Sequence, residues 1–472
     1  VGDEITSSHF TAADFSAFHE RLSIETDAIN DHFRNNRFSP RGETAGFELE
    51  AWLVDPKGSP APVNNRFLET LDNPLVVPEL AAFNVELNGS PTSLSGRVFT
   101  RLHDELAATW KACCECADDM GYQLVTIGIL PTVSAEQLNS QHMSDMKRYH
   151  AINDQVMSLR DGAPLQLNID GRQPLALTHQ DVMIEAAATS FQVHLQCRPA
   201  AAVRAFNAAL VASAPLVAVS CNSPFLFGHE LWSETRIPLF EQAVNVGPGH
   251  PQRVGFGTGY IRESLFECFL ENLEAHPVLL PVLLDEPPHQ FAHLRFHNGT
   301  IWRWNRPLIG FDFDGQPHLR IEHRVIPAGP TITDCIANAA FYYGLVQSFA
   351  ADEEPIEGAI DFDSAKANFY AAARAGLDAD LVWSEGERIG ARQLILERLL
   401  PAARRALTRL NIPRTEIDQH LDIIQARADS GQTGAEWQRN WVRRHGPDMA
   451  ALTLAYHEAQ QSDEPVGSWS NP

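Results

Sequence analysis

The sequence predicts an α+β fold, a mixed body followed by a helical C-terminal part, and three observations carry that expectation. Short segments that alternate apolar and polar residues, the period of a strand, are interleaved with longer segments of helical period as far as about residue 333. Beyond that point the pattern is almost wholly helical, with Ala, Leu and Arg dominating through Leu410 and again over 416–427. No Pro/Gly/Ser-rich linker is long enough to separate two folding units. The expected division is residues 1–345 for the body and 346–472 for a helical part packed on it, with 460–472 a mobile tail that has little to bury.

In chain order, residues 10–38 read as an amphipathic helical region and 46–54 as a short strand closed by the turn Asp55-Pro56-Lys57-Gly58. Helical segments follow at 95–120, 145–160 and 200–218, and β-like segments at 82–88, 123–129, 190–197, 292–304 and 319–326. The uncharged stretch 205–228 approaches the length of a membrane span. Its polar and proline interruptions, among them Asn207, Ser213, Pro215 and Asn222, instead predict a buried helix ending in a turn. His293 and His297 are four apart, but Leu294, Phe296 and Ile301 place them on a strand as structural histidines.

Composition then removes whole classes of function. The 472 residues carry 36 Lys plus Arg against 60 Asp plus Glu, a formal charge of −24, so neither a nucleic-acid backbone nor a membrane surface is an expected partner. Lysine occurs only at Lys57, Lys111, Lys147 and Lys366, none of them in a G-x-x-x-x-G-K-[ST] loop, and no G-x-S-x-G elbow is present. Gly255, Gly257 and Gly259 approach G-x-G-x-x-G, but Tyr260 fills the sixth position and no strand leads in, so a dinucleotide fingerprint fails. The same loop is left open between phosphate contact through the backbone around Gly257, a substrate lid and a tight turn. Seven cysteines do not make a disulfide framework, and the C-x-x-C spacing of Cys113 and Cys116 lacks a second pair, so free thiols are expected. Residues 1–10 show neither a basic nor an apolar targeting region, and a cytoplasmic protein is expected.

The chemistry emerges when each strand is read with a period of two. Glu48 and Glu50 share one face against Phe47, Leu49 and Ala51. Asn84, Glu86 and Asn88 form a second polar set, Gln192, His194 and Gln196 a third, and Arg320, Glu322 and Arg324 a fourth. These sets are acids, amides, one histidine and two arginines, with no lysine and little Ser or Thr, which is unlike a face that simply meets water. If the four strands belong to one sheet, Glu48, Glu50, Glu86, His194 and Glu322 gather in one concavity and repel one another until cations neutralise them. Carboxylate oxygens with one imidazole are hard donors, which favours Mg²⁺ or Mn²⁺ and a phosphoryl-transfer site over a zinc hydrolase.

Four segments in order resemble the glutamate-cysteine ligase type 2, or carboxylate-amine ligase, family: Gly46-Phe47-Glu48-Leu49-Glu50, the acids Glu79 and Glu86 seven positions apart, Gln192-Val193-His194-Leu195 and Ile321-Glu322-His323-Arg324. The resemblance covers roughly residues 40–345. It implies a glutamine-synthetase-like fold, a curved and mostly antiparallel sheet with helices on its convex side and with ATP and divalent metals on its concave face. It also implies that Glu48, Glu50, Glu79, Glu86, His194 and Glu322 are metal ligands and that Arg324 faces the transferred phosphate. The expected reaction is ATP-dependent: a substrate carboxylate, glutamate by analogy, becomes an acyl phosphate that an amine converts to an amide. Gln192, Gln196, Arg236 and Gly257 are candidates for nucleotide contact, and Arg253, Arg262, Arg303 and Arg306 for holding substrate carboxylates or phosphates. A metal-dependent hydrolase and a non-catalytic ligand-binding protein stay open as alternatives. The identity of the amine and the oligomeric state, a homo-oligomer included, are also open.

Overall fold

The computed structural model describes residues 4–470. Among them, one curled sheet holds eight strands: β1 (Thr44–Val54), β2 (Val76–Pro78), β3 (Asn84–Asn88), β4 (Thr92–Ser93), β5 (Gln123–Val125), β6 (Phe191–Cys197), β7 (Asn305–Phe311) and β8 (Pro317–His323). The order is β7-β8-β6-β1-β3-β2, with β4 and β5 on the two ends of the long β1, and every pairing is antiparallel. The predicted α+β class and curved antiparallel sheet are therefore what the chain forms. Strand β6 is buried along its whole length, His194 being only 5 % exposed, so its polar face does not meet bulk water.

Helices cover the apolar face of the sheet and also close over its polar side. α1 (Ala12–Arg34) is started by a capping box between Thr11 and Asp14. α2 (Val98–Asp119), α3 (Lys147–Leu159), α4 (Ala202–Ser220), α5 (Arg236–Ala243), α6 (Ala292–Asn298) and α7 (Ile332–Ala351) follow. α4 and α7 pack on each other and on the sheet. The Tyr343 hydroxyl of α7 lies 2.9 Å from the His194 carbonyl and 3.1 Å from the Gly46 carbonyl, which ties β6 and β1 to the helix behind them. The helix Pro199–Ser220 is long and apolar enough to cross a membrane, yet 89 % of its apolar window is buried inside the protein, as its polar interruptions predicted.

Two sequence expectations are corrected here. Residues 292–304 are not one strand: Ala292–Asn298 is helical, and only Trp302–Arg303 is extended. The four-residue spacing of His293 and His297 puts both on the buried side of α6, where His293 Nδ1 lies 2.6 Å from Glu25 Oε1 and Nε2 accepts from the Leu284 amide. Both histidines are structural, as expected, but on a helix.

The second correction concerns the end of the chain. α8 (Phe362–Ala375) packs on α4, while α9 (Leu400–Arg409) and α10 (Arg414–Ser430) pack on α7, and α11 (Gly434–His445) and α12 (Met449–Gln460) complete the helical part. Arg427 of α10 is buried and donates to Asp334 (2.6 Å) and Asn338 (2.7 Å) of α7. The same Asp334 accepts from the Val466 amide at 2.9 Å. Residues after Gln460 therefore have something to bury: Val466, and Trp469 set edge-on against Trp437 and Tyr456. Residues 471 and 472 lie outside the described residues. All seven cysteines are free.

Candidate active site

Register explains how the polar faces meet. Residues directly opposite one another in an antiparallel pair project to the same side. Glu48 stands opposite Gln192, Glu50 opposite Glu86, His194 opposite Glu322, and Glu322 opposite Arg306. Glu79 joins from the loop just after β2. Glu48, Glu50, Glu79, Glu86, Gln192, Arg306 and Glu322 line a cavity of about 320 Å³ that also receives Arg320 and Arg324, and His194 lies just behind the lining, against Glu48 and Glu322.

Their titratable groups fall into two sets. In the first, ligand atoms of Glu48, His194 and Glu322 all lie within 4.8 Å of one another. His194 Nε2 is 3.2 Å from Glu48 Oε1, but neither ring nitrogen makes a hydrogen bond of acceptable geometry. Cations surround this set: Arg306 donates to Glu322 Oε2 at 2.9 Å and Arg324 to Glu322 Oε1 at 2.6 Å. Burial works against ionisation of Glu48, but His194 outweighs it and lowers the carboxyl to about 2. Burial likewise opposes ionisation of Glu322, and Arg306, Arg324 and His194 hold it well below the usual carboxylate range.

In the second set, Glu50, Glu79 and Glu86 meet the same 4.8 Å condition. Glu50 accepts from the Ser190 amide (2.6 Å), the Ser190 hydroxyl (2.9 Å) and Gln192 Nε2 (3.0 Å), and Asn88 donates to Glu86 at 3.0 Å. These bonds do not cancel the charge. Burial and the neighbouring Glu79 lift Glu50 to about 7, and burial with Glu48 and Glu79 pushes Glu86 well above its ordinary value. Gln192 links the sets, because its carbonyl accepts from Arg324 at 2.6 Å while its amide donates to Glu50.

Three candidates fall elsewhere. The Gln196 amide reaches Asp312 (3.3 Å) at the far end of β6, outside the cavity lining. Arg236 is buried behind the site, paired with Glu234 (3.3 Å), bonded to the carbonyls of Arg324 and Val325, and stacked over Trp304. Gly257 takes φ +106°, a turn conformation suited to glycine, and does not line the cavity. Arg253 and Arg303 are likewise occupied, by Thr300 and Pro277 carbonyls and by Glu271 and Asn272, and Arg262 is not in the lining. Arg306 and Trp302 do face the cavity.

The alternation argument missed Arg148, Tyr149 and Glu185, all cavity-lining, because they sit on helical elements. Glu185 had one signal, a single acid in the apolar run Val182-Met183-Ile184-Glu185-Ala186-Ala187. Burial, with Glu79 and Glu50 nearby, lifts it to about 8.

The model of glutamate-cysteine ligase family 2 matches residues 44–468, nearly the whole chain and all of the cavity-forming strands. This chain belongs to that family. As a member, it is an ATP-dependent carboxylate-amine ligase. Glutamate-cysteine ligase from Francisella tularensis, solved in complex with AMP, superposes with a TM-score of 0.57 at 13 % identity, over 92 % of this chain and 91 % of that one. A bifunctional glutathione synthetase from Pasteurella multocida gives a TM-score of 0.50 at 11 % identity, over 92 % of this chain and 54 % of that one. At these identities the likeness is one of fold. No curated protein sequence matches this glutamate-cysteine ligase family member.

Proposed function

We propose that this ligase joins the γ-carboxylate of glutamate to an amine through an acyl phosphate formed at the expense of ATP. The observation that carries the proposal is the meeting of two acidic sets and the Arg306–Arg324 pair on one buried polar face. The two sets fit divalent cations: one holds an imidazole whose buried nitrogens lack hydrogen bonds, and in the other burial and neighbouring acids raise Glu50 and Glu86 above the ordinary carboxylate value. Glu48, His194 and Glu322 would hold one Mg²⁺ or Mn²⁺, and Glu50, Glu79 and Glu86 another. Bound there, such ions supply charge neutralisation along the phosphates.

The chain's own residues do the rest. Arg324 is held in place by Glu322 and Gln192 and keeps Nε without a hydrogen bond, which suits a planar donor aimed at the transferred phosphoryl group. A carboxylate oxygen attacks the γ-phosphorus, the bond to the β-phosphate oxygen breaks, and ADP leaves. The amine then attacks the acyl carbon, phosphate departs, and the nucleophile gives up a proton. The AMP in the Francisella enzyme supports an adenine nucleotide as the phosphoryl donor's product class. The test is stoichiometry: with Mg²⁺, ATP, glutamate and an amine, one ADP should appear per amide. Amide or ester hydrolysis without ADP would replace this reading with a metal-dependent hydrolase.

A further inference from the structure

The cavity has a second wall, built by α3, the short helical segment Val182–Ala187 and α5. The Val182 amide donates to Asn153 of α3 at 3.1 Å, and α5 packs against Val182–Ala187. Its cavity side is mostly apolar, with Ile152, Val182, Phe240, Val244 and the Tyr149 ring, and it carries one acid, Glu185, and one cation, Arg148 of α3. The acids of the two sets all have partners: Glu48 and Glu322 lie against His194 and the arginines, Glu50 and Glu86 accept hydrogen bonds, and Glu79 accepts from the Leu80 amide at 3.1 Å. Glu286 is exposed. Glu185 is neither exposed nor, among the described residues, hydrogen-bonded or ion-paired through its side chain.

A carboxylate set unpaired in an apolar wall is costly unless a cation meets it. Glu79 and Glu50 add negative field at Glu185 that outweighs the opposing charge of Arg324, and this balance draws a cation to the carboxylate. Resting on the ligase reading above, we propose that this wall is the acceptor subsite: Glu185 takes the ammonium group of the incoming amine, and the apolar side chains select an amine with a sizeable apolar body. Leucine and phenylalanine fit that description, and glycine does not.

The experiment uses the full-length enzyme with Mg²⁺, ATP and glutamate. Positional isotope exchange in ATP with glutamate alone reports acyl phosphate formation, and its absence in the wild type sinks the ligase reading before the subsite is at issue. With exchange present, leucine or phenylalanine should support ADP release with a KM at least about tenfold below that of glycine. Glu185→Gln should raise that KM at least about tenfold while the KM for ATP moves less than about twofold, and Glu185→Asp should recover part of the loss. Glycine matching leucine overturns the apolar selection. A rise in the KM for ATP with an unmoved amine KM assigns the wall to the nucleotide and overturns the proposal. If Glu185→Gln does not fold, Val244→Phe narrows the same wall and should raise the KM for phenylalanine more than that for glycine, and equal changes count against the subsite.

Discussion

Glu48, His194 and Glu322 lie among cations, whereas Glu50, Glu79 and Glu86 lie among further acids, although β1 supplies a residue to each set only two positions apart. In the first set, Arg306 and Arg324 compensate Glu322, and Glu48 and Glu322 are both held ionised despite burial. In the second, burial and uncompensated repulsion from neighbouring acids push Glu50 and Glu86 toward the neutral form. Equivalent donor atoms on one sheet thus differ because of what the adjacent strand or loop brings: β7 and the end of β8 bring arginines, and the loop after β2 brings another glutamate. The protein neutralises one set with its own arginines and leaves the acids of the other uncompensated.

The largest effect should follow from breaking the compensated set. Glu322→Gln leaves Arg306 and Arg324 buried without their partner, and the metal-free protein should lose about 3–5 kcal/mol in a denaturant titration. A loss under about 1 kcal/mol would mean the arginines are not held by this acid.

Arg324→Lys keeps the charge but not the planar fork. Turnover of ADP formation should fall at least about tenfold, or about 1.4 kcal/mol of transition-state stabilisation, while Mg²⁺ still raises the Tm. If stability drops and turnover does not, Arg324 serves only to close the ion pair.

The uncompensated set should respond with the opposite sign. Glu79 is the acid that raises Glu50, Glu86 and Glu185 together, so Glu79→Gln should raise the Tm of the metal-free protein at pH 8 and shrink the further rise on adding Mg²⁺. A fall in both would show that Glu79 stabilises the apo fold.

Smallest is the pH dependence. Glu50 and Glu86 titrate above their unfolded value of 4.5, so the folded metal-free protein binds more protons than the unfolded chain between about pH 5 and pH 8. Its stability should therefore fall as pH rises through that window. Glu48 and Glu322 are depressed, and their contribution is complete above 4.5 and lost only in acid. Melting curves in EDTA at pH 5, 6, 7 and 8 should step downward, with Mg²⁺ restoring most at pH 8; a flat profile would remove the distinction between the two sets.

What the sequence determined by itself was local. The alternation along 47–51, 84–88, 192–196 and 320–324 is a property of the backbone pleat, so which side chains share a face was legible before any fold was known. Hydrophobic period and composition likewise marked the long helices and the buried character of α4. Tertiary structure decided what each face meets. Only strand order sets His194 beside Glu322, and only the packing of α3, Val182–Ala187 and α5 brings Glu185 to the same cavity, because contacts across such sequence separations leave no local period. The same packing withdrew Arg236 to Glu234 and Gln196 to Asp312, and it gave Trp469 an aromatic seat that a short polar-looking tail did not advertise. Side-chain direction is written in the backbone's own geometry, whereas the partner at the end of each side chain is chosen by the whole chain closing on itself.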